Sequence, residues 1–104
     1  MTSTDPAYRE YVRQVLEFAE QGYQAAEEGY YEQAIEVWTS ILNDEQSRSC
    51  FDEETQAEMA FNLAAAYYIT RQDEAFNEVA SNWGLSDADK EQIYGSVEEE
   101  AHEG

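Results

Sequence analysis

The residues able to do chemistry are few in this sequence and far apart. His102 is the only histidine and stands near the end of the chain. A lone histidine two residues from the end, in a stretch expected to fray, supports neither metal binding nor catalysis. Cys50 is the single cysteine. Arg48, two residues before it, would lower the thiol pKa slightly, but no neighbouring histidine is there to activate it. The stretch "DADKE" (87–91) opens like a calcium loop, yet Gln92 falls where such a loop needs glycine for its turn. Ser86 capping a helix with an acidic first turn accounts for the same residues. Carboxylate pairs occur at Glu27/Glu28 and Glu53/Glu54, but general acid work needs one partner shifted in pKa. No glycine-rich phosphate loop is present. The sequence specifies no catalytic residue, no metal site and no cofactor, and it reads as a binding protein rather than an enzyme.

The elements that must carry any binding surface are helical. One proline, five glycines and an apolar period near 3.6 residues predict an all-α chain of about five helices. Asp5 and Pro6 predict the start of a first helix that ends at Gly29, through Tyr8, Tyr11, Val12, Val15, Leu16, Phe18, Ala19, Tyr23 and Ala26. Tyr31, Ala34, Ile35, Trp38, Ile41 and Leu42 form one apolar stripe and predict the second helix. The stretch 43–52 reads as a loop. Asp52 caps a third helix over 53–70, with Ala57, Ala60, Phe61, Ala64, Tyr67 and Tyr68 on one face. "RQD" (71–73) is a tight turn. A fourth helix carries Phe76, Val79, Ala80 and Trp83 and stops at Gly84. The fifth, capped by Ser86, offers Ile93, Tyr94 and Val97, and Glu98, Glu99 and Glu100 burden its unfavourable dipole end. The whole, 1–104, reads as one domain with 1–5 and 99–104 disordered.

The 104 residues hold 24 acids against 5 bases, a formal net charge of −19. Such a charge repels nucleic acid and anionic membranes and favours basic partners or a salty medium. One cysteine fits a reducing compartment, no apolar run is long enough to span a membrane, and no secretory signal is visible. The expectation is a cytoplasmic protein that binds neither DNA nor RNA directly.

"GYYEQAIEVW" (29–38) decides how the helices pair. Gly22 and Ala34 are small enough to face each other at a tight crossing, with Tyr31 and Trp38 filling the space on either side. This pattern resembles the tetratricopeptide repeat, a helix–turn–helix unit of about 34 residues. Gly22, Tyr31, Ala34 and Trp38 match its small and aromatic positions, while Phe18 stands in place of a Trp and Ile41 in place of an Ala. A second, weaker copy follows with Leu63, Ala64, Tyr67 and Ala75. The likeness covers about residues 15–83. Ala34 and Ala75 stand 41 residues apart, so the second copy is offset by an insertion, and the proline usual near the repeat's end is absent. Two repeats alone bury little. Capping by the terminal helices, or a homodimer, is therefore expected.

The resemblance implies a groove lined by the first helix of each repeat. It would be built from Leu16, Ala19, Tyr23, Ala26 and Glu27, and from Glu58, Phe61, Ala65, Tyr68 and Ile69. Repeats that clamp a chaperone's terminal carboxylates use Lys, Arg and Asn there, and these positions hold none of them. An apolar partner segment flanked by Arg or Lys fits better. The competing reading is that Phe61 and Tyr68 pack against a further helix of this chain. The function implied is that of an adaptor or small chaperone. The alternative is an acidic inhibitor that mimics nucleic acid through Glu10, Glu17, Glu20, Glu27 and Glu28 and occupies the basic site of a DNA- or RNA-binding protein.

Overall fold

The structure is a computed structural model that describes the backbone of residues 6–103 and the side chains of residues 6–96. The disorder expected for 1–5 and for residue 104 falls outside the described residues. The backbone of 99–103 is described as helix, without its side chains.

The described residues form an all-α fold with no strand: α1 (Pro6–Glu27), α2 (Tyr31–Leu42), α3 (Glu45–Arg48), α4 (Glu53–Ile69), α5 (Asp73–Trp83) and α6 (Asp87–Glu103). The five long helices fall where the apolar periods place them. The one-turn helix α3 lies inside the stretch read as a loop. Its four residues carry no apolar stripe, so only the Asp44 side chain, accepting from the Ser47 N–H at 3.2 Å, marks its start.

Local chemistry sets the ends. Asp52 accepts from the Thr55 N–H at 2.8 Å and opens α4. Ser86 and Asp89 exchange side-chain to backbone bonds, both 3.1 Å, in a reciprocal cap that opens α6. At the end of α1 the Tyr30 N–H returns to the Ala25 carbonyl at 2.8 Å, with Gly29 at φ +90° making the left-handed step. α5 closes in the same way at Gly84. α4 closes at Arg71, a non-glycine residue at φ +63°.

Packing follows chain order. α1 lies on α2, α2 on α4, α4 on α5, and α6 returns to α4. The two short turns make α1–α2 and α4–α5 antiparallel hairpins. Trp38, Ile41, Met59 and Ile93 are the largest fully buried side chains. α4 is buried on two sides through Met59, Ala60, Leu63, Ala64 and Ala66, and Ala57, expected on its inner face, is exposed. Val37, outside the expected stripe of α2, is buried while Ile35 is only half-buried. Gly22 does permit the tight α1–α2 crossing, but a Cβ on it would meet Trp38 Nε1 and Val37 Cγ1, both at 2.9 Å, rather than Ala34. The fold is thus two hairpins centred on α4 and covered at one end by α6.

Candidate partner-binding cleft

α1, α2 and α4 leave an open cleft of about 290 Å³ between them. Tyr23, Ala26 and Glu27 form its α1 wall, Tyr31 and Trp38 its α2 wall, and Asn62, Ala65, Ala66 and Ile69 its α4 wall. The α4 wall offers two alanines, Ala65 and Ala66, where the α1 and α2 walls carry three aromatic rings. Tyr23 meets Trp38 edge-on, with ring centroids 5.4 Å apart at 61°. Such a pair contributes roughly 0.5–1.5 kcal/mol beyond its buried area.

Two polar atoms beside the cleft are buried without hydrogen-bond partners, the Tyr23 hydroxyl and Trp38 Nε1. The indole nitrogen lies against Gly22. Burial pushes the Tyr23 phenol pKa up, and the Glu58 carboxylate adds to this. The nearby Asn62 amide pulls weakly the other way without completing a hydrogen bond. Both main causes disfavour negative charge at that ring.

Tyr23, Glu27 and Ala65 line the cleft together, with Ala26 and Ile69. Glu58 is exposed and acts on Tyr23 through its charge. The remaining expected groove residues lie elsewhere. Leu16 is 47% exposed and stands off the cleft, while Ala19 is core. Phe61 is half-buried against the core. Tyr68 packs on Phe76 and Tyr94, with ring centroids 5.8 and 4.9 Å away, so α5 and α6 cover it. For Tyr68 this matches the competing reading, in which the ring meets a further helix of the chain. Asn62 was not foreseen as a lining residue. Its signal in the sequence is that it stands as the lone polar side chain within "AFNLAAA".

The other chemical candidates lie apart from the cleft. Cys50 is half-buried in the α3–α4 connection, and its pKa is pushed up by burial first and by the Asp44 charge second. This reverses the direction expected from Arg48, whose guanidinium instead donates to the Leu42 carbonyl at 2.9 Å. Among the described residues no three His, Cys, Asp or Glu side chains are grouped so as to hold a metal ion, and no helix is long and apolar enough to cross a membrane. Comparison with family models, with curated proteins and with solved structures finds no match for this chain.

Proposed function

We propose that this chain is a cytoplasmic, non-catalytic adaptor or small chaperone with two degenerate tetratricopeptide-like hairpins. It holds a basic and partly apolar segment of another protein in the cleft between α1, α2 and α4. The observation that carries this reading is the cleft itself. It is open, lined by aromatic and small apolar side chains, edged by Glu27, and has no basic residue on its walls. Clefts with apolar walls and a few placed polar groups are the usual binding sites of proteins, and opposite charge selects the partner.

The test is capture of a partner from the source organism's lysate by the immobilised chain and by an Ala65→Lys, Ile69→Lys variant. The two lysines reverse the charge and fill the space, and both positions are only half-buried. The expected outcome is loss of the captured protein with helicity by circular dichroism unchanged. Retention of the same protein by the variant overturns the reading.

A second reading, mimicry of nucleic acid, is favoured by one observation: every described acidic side chain is exposed except the half-buried Asp89. The array along α1 is interrupted, however, because Arg13 bridges Glu10 at 2.7 Å and Glu17 at 3.4 Å. A DNA-binding protein that the variant still captures, and that salt alone releases, would favour mimicry over the cleft.

A further inference from the structure

We propose that the cleft is a cation subsite: the side chain entering it is a lysine or arginine of the partner segment, held over the rings of Tyr23 and Tyr31 and paired with Glu27. This rests on the reading of the cleft as the partner site and adds which end of the partner's chemistry goes inside.

Four observations converge. Tyr23, Glu27 and Tyr31 are spaced four and four residues apart. On α1 that spacing sets Glu27 one turn beyond Tyr23, and the left-handed step at Gly29 brings Tyr31, the first residue of α2, onto the same cleft. With Trp38 the walls present three aromatic rings and one carboxylate. Ring faces are negative and attract ammonium and guanidinium groups, more strongly where water is excluded. Of the chain's own bases none lines the cleft. Arg9 and Arg13 lie on the first turns of α1, Arg48 binds the end of α2, Arg71 sits in the α4–α5 turn and Lys90 on α6. None of the described bases supplies a cation to the cleft, which leaves that place to the partner.

The Glu58 carboxylate, whose charge reaches the Tyr23 phenol as the second cause of its raised pKa after burial, adds negative potential on this side of the cleft. Size agrees too. About 290 Å³ lies at the lower edge of cavities that enclose small molecules, so an inserted side chain suits the space better than a metabolite.

The experiment is a titration of the ¹⁵N-labelled chain with a capped Leu-Ala-Lys-Ala-Leu peptide to millimolar concentration. The same peptide with norleucine for lysine provides the neutral comparison. The indole N–H signal of Trp38 reports on the cleft, and that of Trp83 serves as a control. The expected result is a saturable shift at Trp38 and weaker binding of the norleucine peptide. Tyr31→Leu, which keeps apolar bulk but removes the ring, and Glu27→Gln should each weaken the lysine peptide roughly 3- to 30-fold.

Equal binding of both peptides at Trp38, unaffected by Tyr31→Leu, overturns the cation subsite while leaving the cleft as a partner site. No shift at Trp38 with either peptide overturns both readings. A Trp38 signal that moves with protein concentration alone overturns the proposal in favour of a second copy of this chain.

Discussion

Gly22 shows how much depends on one absent methyl group. The tight α1–α2 crossing leaves no room for a Cβ, which would sit 2.9 Å from both Trp38 Nε1 and Val37 Cγ1. Val37 is β-branched and Trp38 is 1% exposed, so neither can move aside cheaply. Overpacking of this kind costs about 1–3 kcal/mol, while alanine gains at most about 1 kcal/mol of helix propensity over glycine. Gly22→Ala should therefore lower stability by roughly 1–2 kcal/mol, read as a lower urea midpoint with an unchanged slope. That Gly22 marks a close approach is legible in its spacing to the aromatic and small residues of α2. Which atoms it meets is not, because periodicity along one helix does not contain the angle at which another crosses it. Arg71 was equally hidden. Arginine is not a residue that sequence associates with a left-handed step, which costs ordinary side chains about 1–2 kcal/mol.

At the scale of the helices, the caps were the most legible features and are the most easily tested. Asp52 accepts from the Thr55 N–H at 2.8 Å, and the nearby Thr55 hydroxyl first and this N–H second hold its carboxyl pKa below the ordinary value. A depressed folded pKa means stability that is present above the unfolded value of about 3.9 and is lost as pH falls through the lower folded one. Asp52→Ala should lower Tm by a few degrees at pH 7, and the gap from the parent should narrow as pH falls through the lowered folded pKa. Asp52→Asn, which caps without titrating, should retain most of the neutral-pH Tm. A gap that stays constant with pH would show that the cap does not act through its charge. The faces of the helices were less legible than their ends. α4 packs on α2 with one side and on α5 and α6 with another, so its apolar residues wrap around it and no single stripe points to the core. Tyr68 was assigned to a groove by the resemblance to the repeat alone. Its ring is covered because α6 brings Tyr94 across, and nothing in the spacing of "IYGSV" says where that helix returns. The cleft was legible in part, through Tyr23, Ala26, Glu27, Ala65 and Ile69, which the resemblance to the repeat implies as groove positions.

For the molecule as a whole, charge opposes compaction. A net −19 on 104 residues is drawn together on folding, and almost all described acids stay at the surface. Salt screens this repulsion with a Debye length of about 10 Å at 0.1 M and about 3 Å at 1 M. Raising sodium chloride from 10 mM to 1 M should therefore raise Tm by several degrees, and a flat or falling Tm would mean that the repulsion is not felt in the folded state. This expectation follows from composition alone, whereas the placement of the bases away from the cleft needed the fold. The order of packing along the chain carries one more consequence, for time rather than for stability. Each hairpin closes over a turn of a few residues, and α4 collects its neighbours almost in the order they are made. Helical chains with such local contacts fold in about microseconds to milliseconds. A partner at about 1 μM, associating at about 10⁶ M⁻¹s⁻¹, arrives only about once per second. The cleft is therefore complete long before each encounter, and the rate of capture is set by diffusion and charge, with no wait for the chain to fold.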